Sequence, residues 1–155
     1  NIFKKENLYF LIIILLTFSI DRYSKIEIIN NFSEKTFYLN GFINFDLIWN
    51  TGIGFGLLNT QSNIFYNFIS LVICCVILTL LYISFKSDFI DKNIFAMIAG
   101  GAMGNFYDRL IFKAVPDFID LHYENFHWFT FNVADIFITI GIILYLIKGY
   151  LTEKT

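Results

Sequence analysis

The sequence predicts a single membrane-embedded, α-helical domain: four transmembrane helices with a small β-sheet at one membrane face. Three observations point there. Of 155 residues, 57% are hydrophobic and only 15% are charged, whereas an ordinary soluble domain carries about 25% charged residues. Ser62 to Phe85 runs for twenty-four residues without a charge, more than the ~20 needed to cross the hydrocarbon core. Phe42 to Asn50 alternates apolar and polar residues with the period of a half-buried strand. A soluble fold could not hide the apolar excess, because a domain of about 150 residues buries only ~70% of what its unfolded chain exposes. Disorder, collagen and a disulfide scaffold are excluded as well: hydrophobicity is high, no Gly-X-Y repeat exists, and there are two cysteines.

The spans follow in order at about 7–25, 62–85, 93–112 and 133–150, within one domain covering 1–155. Only the second is free of charge throughout. Asn7 to Ile20 stops at Asp21, Asn93 to Tyr107 stops at Asp108, and Val133 to Ile147 contains Asp135. Fourteen or fifteen residues at 1.5 Å each fall short of the ~30 Å core, so these three carboxylates are placed at membrane depth, where charge is costly and marks function. Between the first two spans lies the sheet, at about 36–58. Asn40-Gly41 is a turn signal ahead of Phe42, and Gly52, Gly54 and Gly56 after Asn50 indicate bent or closely approached backbone. An exposed strand edge there could receive an extended peptide by strand addition.

Four spans place both termini and the loop 86–92 on one side, with 21–61 and 108–132 on the other. Lys and Arg divide six to five, a small excess favouring cytoplasmic termini. Acidic residues divide four to nine. Acids hardly set topology, so their clustering reads as a site. The net charge of −2, with no basic stripe, argues against a nucleic-acid partner. Cys74 and Cys75, adjacent in an uncharged run, fit a lipid-facing or packing role.

Chemistry-bearing residues gather at the acidic side. Gly100-Gly101-Ala102-Met103-Gly104 is a small-residue run that lets a neighbouring helix approach. Asn105, Asp108 and Arg109, three and four apart, share a helix face, and Asp108 beside Arg109 reads as a self-neutralised salt bridge. Asp117, in Val115-Pro116-Asp117-Phe118-Ile119, and Asp135, in Phe131-Asn132-Val133-Ala134-Asp135, sit among apolar neighbours. Such a pair shares one proton and can serve as general base and general acid. For Asp135 a helix-capping role fits the same position. Lys25 beside Ser24 reads as an exposed interfacial anchor rather than a catalytic base. His122 and His127 lack zinc spacing, and His127-Trp128 fits an interfacial aromatic belt. A small transporter or channel subunit also uses intramembrane carboxylates, but it needs polar residues along the depth of several helices, and here they collect at one end.

Five blocks resemble those of bacterial lipoprotein signal peptidase, the signal peptidase II family: Asp21-Arg22-Tyr23-Ser24-Lys25, Asn50-Thr51-Gly52-Ile53-Gly54-Phe55, Gly100 through Arg109, Val115-Pro116-Asp117-Phe118, and Phe131 through Asp135. The third and fifth match the family patterns GGAxGNxxDR and FNxAD at every fixed position. Arg22, Gly54, Pro116 and Phe129 depart from the usual Gln, Ala or Ser, Val, and Pro. The resemblance implies four helices with a small extracytoplasmic sheet, or cradle, and a short extracytoplasmic helix or loop, in the bacterial inner membrane. It implies an aspartic endopeptidase that cuts prolipoprotein signal peptides before a diacylglyceryl-modified cysteine, acts as a monomer without metal or organic cofactor, and is inhibited by globomycin-type cyclic peptides. Asp117 and Asp135 take the place of the family's catalytic dyad, and Asp21, Lys25, Asn50, Gly101, Asn105, Asp108, Arg109 and Asn132 its substrate-binding or supporting positions.

Overall fold

A computed structural model describes residues 5–33, 35–52 and 63–153. The predicted features at Gly54, Gly56 and Ser62 lie outside these residues. The described elements are α1 (Lys5–Asn31), β1 (Phe37–Tyr38), β2 (Ile43–Asn50), α2 (Asn63–Ser84), α3 (Phe89–Phe112), β3 (Val115–Tyr123), β4 (Phe126–Phe131) and α4 (Val133–Thr152). The helices have 27, 22, 24 and 20 residues, or roughly 30–40 Å at 1.5 Å per residue. Two are long and apolar enough to cross a membrane by composition, over Tyr66–Ser84 and Val133–Thr152. The charges in α1 and α3 keep those helices from meeting the same test.

The packing is inverted relative to a soluble protein. Large apolar side chains of α1, α2 and α4, such as Leu15, Leu71 and Leu146, are more than half exposed, while Asp21, Lys25 and Asp108 are fully buried. Helix α3 is the hub on which α1, α2 and α4 all pack. Its small residues explain why. A Cβ on Gly100 would lie 1.8 Å from Thr17 Oγ1 and 2.8 Å from the Ile14 carbonyl oxygen of α1, and one on Gly101 would lie 2.8 Å from the Ala134 carbonyl oxygen of α4. Backbone contact at that range excludes any side chain on α3. At the end remote from the sheet, Lys148 of α4 bonds to Asp88 and Asp91 at 2.6 Å each, and Lys92 of α3 donates to Asn7 of α1 at 2.7 Å. Asp88 caps α3 by accepting the Ile90 and Asp91 N–H groups, so the helix starts at Phe89. The predicted loop 86–92 is accordingly shorter, and Asp91 and Lys92 belong to the helix.

One four-stranded antiparallel sheet has the order β1-β2-β3-β4. The expected strand at 42–50 is β2, and Asn40 makes the turn before it by accepting the Phe42 and Ile43 N–H groups. The sheet extends well beyond the predicted 36–58. Residues 115–131, for which the sequence predicts no strand, supply β3 and β4, and no short helix occurs among the described residues. This hairpin turns at Glu124-Asn125 with Glu124 at φ 51°, without the glycine or proline that usually announces such a turn. Burial hides it too: Val115, Pro116, Asp117 and Phe118 are all buried, so no alternation marks the first half of β3.

Gly101→Ala is expected to lower stability by about 1–3 kcal/mol because α4 must move away. Gly149, with nothing within 4 Å of an added Cβ, provides the contrast: Gly149→Ala should be neutral or stabilising by up to about 1 kcal/mol. Thermal unfolding of the detergent-solubilised protein reads both.

Candidate active site

Helix geometry places Asp21 and Lys25, four apart, on one face of α1, against Asn105 and Asp108 of α3. An ammonium has three protons to give and no lone pair. Lys25 Nζ spends all three, on Asp21 Oδ2 at 2.8 Å, Asn105 Oδ1 at 2.7 Å and Asp108 Oδ2 at 2.8 Å. The other oxygen of Asp108 accepts from the Arg22 guanidinium, which lies over the Tyr107 ring 4.8 Å from its centroid. The other oxygen of Asp21 accepts the Ala134 N–H at 2.9 Å, tying α1 to the start of α4. Gly104 makes room for this: a Cβ there would sit 2.2 Å from Asp21 Oδ2.

Two expectations are corrected. Lys25 is not an exposed anchor; it is fully buried at the centre of this cluster. Asp108 is neutralised by Lys25 and Arg22 of α1, not by Arg109. Adjacent residues on a helix point about 100° apart, so Arg109 turns elsewhere and donates to the Asn105 carbonyl at 3.1 Å and the Gly52 carbonyl at 3.2 Å. It thereby holds the turn that follows β2, while Asp117 stands on strand β3.

Asp117 and Asp135 come together through Asn132. The Asn132 amide donates to Asp117 Oδ1 at 2.6 Å, and its backbone N–H donates to Asp135 Oδ2 at 3.1 Å. Asn132 is also the N-cap of α4, its Oδ1 accepting the Asp135 N–H at 3.1 Å in a capping box. Capping and site geometry are thus one arrangement, and the capping role read for Asp135 coexists with its place in the pair. Asn50, whose Oδ1 accepts the Gly52 N–H, donates its amide to Asp117 Oδ2 at 2.8 Å. Asn105 donates to Asp135 Oδ1 at 2.8 Å. Burial pushes the Asp117 carboxyl up to about 6, the Asp135 charge adds to the rise, and the bonds from Asn50 and Asn132 oppose it.

Asp117 is 3% exposed. Asp135 is half-buried and lines, with Asn105 and Arg109, the polar end of a cavity of about 470 Å³ whose walls are apolar residues of α2, α3 and α4, among them Val76, Phe95 and Ile142. Gly101 supports Asp135 indirectly, by bringing α4 close. Asp120, three residues from Asp117 along β3, takes His127 Nδ1 at 2.7 Å, with the His122 ring stacked 5.5 Å from that of His127. Among the described residues no group of three or more His, Cys, Asp or Glu is arranged to hold a metal. Sequence reasoning missed the contacts of Arg22, the Ala134 N–H and the Gly52 carbonyl; backbone groups carry no residue signature, and only the small-residue run hinted at Gly104.

The fold is shared with two solved proteins, each described as a bacterial membrane enzyme solved in meso. One, at 2.3 Å resolution, has a TM-score of 0.76 with 27% identity over 94% of this chain and 89% of that one. The other, at 1.9 Å, has a TM-score of 0.73 with 26% identity over 90% of each. This fold, with a carboxylate pair where strand β3 meets the start of α4, puts the chain in the class of bacterial membrane enzymes. The family model for signal peptidase (SPase) II matches residues 13–151. The lipoprotein signal peptidase of Pelagibacter ubique is 46% identical over 99% of this chain and 96% of its own length, and that of Francisella tularensis subsp. mediasiatica is 35% identical over 99% and 98%. The chain belongs to the signal peptidase II family, which is a family of peptidases rather than transporters, and its membership implies prolipoprotein substrates.

The raised Asp117 carboxyl has a signed consequence for stability. In the unfolded chain an aspartate loses its proton near 3.9, and in the folded one Asp117 keeps it to about 6. Its contribution is therefore full below about pH 4 and lost as pH rises to about 6, a change on the order of 3 kcal/mol at most. Asp117→Asn should raise the thermal midpoint at pH 7–8, with the gain shrinking toward pH 4.

Proposed function

We propose that the protein is an aspartic endopeptidase that cuts prolipoprotein signal peptides before the diacylglyceryl-modified cysteine, with Asp117 and Asp135 as its dyad. The observation that carries this reading is the meeting of two carboxylates, from β3 and α4, both bonded to Asn132, with Asp135 lining the polar end of an apolar cavity. Whichever carboxylate is ionised takes a proton from water as the water attacks the scissile carbonyl. Its protonated partner hydrogen-bonds the carbonyl oxygen and then the tetrahedral oxyanion. Collapse breaks the C–N bond as a proton passes to the leaving amine, and no acyl-enzyme forms. No metal or organic cofactor enters this scheme.

Substrate placement follows from the same geometry. The cavity between α2 and α4 suits acyl chains. Arg109, whose Nε is buried and without a hydrogen-bond partner among the described residues, lines the same cavity and has a proton free for a substrate carbonyl. Asn50, Asn105 and Asn132 orient the carboxylates, and Asp21, Lys25 and Asp108 hold the helices that carry them. Four spans in the inner membrane, with cytoplasmic termini and an extracytoplasmic site, fit helices of 20–27 residues whose polar contacts collect at their two ends. The dyad then lies at the depth where a scissile bond and its acyl anchor are held together. The single domain acts as a monomer, and a globomycin-type cyclic peptide would compete for the dyad.

The test is a gel shift of a diacylglyceryl-modified prolipoprotein in proteoliposomes. Wild type should cleave it and globomycin should block cleavage. Asp117→Asn and Asp135→Asn should each lose about 10³-fold or more while still inserting and eluting as folded protein. Retained cleavage by Asp135→Asn would refute the assignment.

A further inference from the structure

Lys25 touches neither proposed catalytic carboxylate, yet it bonds directly to the Asn105 side chain that touches one of them. Its third proton settles an ambiguity on α3. An amide can face a neighbour with either its oxygen or its NH₂, and Asn105 stands between Lys25 and Asp135. Because an ammonium only donates, Lys25 binds Asn105 Oδ1 at 2.7 Å and so turns Nδ2 toward Asp135 Oδ1, 2.8 Å away. The flipped amide would set its NH₂ against the ammonium and its oxygen against a carboxylate oxygen, so Lys25 at one end of the Asn105 side chain and Asp135 at the other fix one orientation between them. The other two protons of Lys25 brace the same unit: through Asp21 they reach the Ala134 N–H, one residue before Asp135, and through Asp108 they hold α3. All of this is dry, with Lys25, Asp21 and Asp108 at 0% exposure.

We propose that Lys25 is a positioning residue for the cleavage reaction, acting through the Asn105 amide to hold the Asp135 carboxylate in its working orientation. This rests on the reading of Asp117 and Asp135 as the reacting pair. A misplaced catalytic group costs rate more than binding, on the order of 10²-fold for 1 Å, whereas the cavity that receives the substrate is lined by Asn105 and Arg109 but not by Lys25.

The test is a double-mutant cycle between Lys25 and Asn105 in the proteoliposome cleavage assay. Lys25→Met and Asn105→Ala alone should each lower kcat by about 10–100-fold and change KM less than about threefold. If Lys25 acts through Asn105, adding Lys25→Met to Asn105→Ala costs little more than Asn105→Ala alone, within about twofold, because independent effects would multiply. Lys25→Met leaves two buried carboxylates short of a partner, so if it does not fold the cycle is run on Asp108→Asn, with Lys25→Met/Asp108→Asn as the single variant. Multiplying losses, a change confined to KM, or unchanged kcat in Lys25→Met overturns the proposal. Asp135→Asn is assayed alongside: if it stays active, the dyad assignment falls, whereas an inactive Asp135→Asn with multiplying Lys25 and Asn105 losses removes only the positioning role.

Discussion

A buried ammonium must give all its protons to protein. Lys25 has no water to share, and taking an unpaired charge out of water costs several kcal/mol even after relaxation. Its three acceptors come from two helices, and the second oxygens of those acceptors bring in a third helix and a further cation. The cluster is charge-balanced, with Asp21 and Asp108 against Lys25 and Arg22. Removing any one member leaves another exposed to apolar surroundings, so the four behave as a unit. The angle and depth at which α1, α3 and α4 meet follow from that requirement.

Glycine makes the requirement attainable. In a bilayer the hydrophobic effect does not draw helices together, and close packing with interhelical hydrogen bonds does. Gly100 and Gly104 present bare backbone to α1, and Gly101 presents it to α4. A methyl group at Gly104 would occupy the position of the Asp21 carboxylate. Small residues and buried charges are thus two halves of one device, the first bringing backbones near enough for short side chains to bridge.

The sheet acts as the other arm. Strand β2, bulged between Phe45 and Ile48, ends at Asn50 against β3, and β3 carries Asp117. Strand β4 then leads directly into the Asn132 cap of α4. One asparagine therefore terminates a strand, starts a helix and joins two carboxylates. Such economy places the proposed dyad on rigid elements, and the turn after β2 supplies the Gly52 carbonyl that Arg109 grips.

Much of this was legible in the residues alone. Apolar excess and the uncharged run at 62–85 announce helices in a membrane; the alternation at 42–50 and the Asn40-Gly41 turn announce β2; Asp117 and Asp135 among apolar neighbours mark the candidate pair. The resemblance picked out every side chain of the Lys25 cluster except Arg22. What the residues could not convey is partnership. Asp108 stands beside Arg109 in sequence yet pairs with Lys25 and Arg22, because a helix turns neighbours apart and brings distant faces together. The β3–β4 hairpin escaped because burial on both faces erases the period of two in the first half of β3, β4 is largely exposed and aromatic, and the turn between them contains neither glycine nor proline. Residue order alone implied that few charges would sit among many apolar residues. Which charge meets which was settled by packing, because pairing depends on distances between helices, and those are set where Gly100 and Gly104 let α1 close on α3 and Gly101 lets α4 do the same.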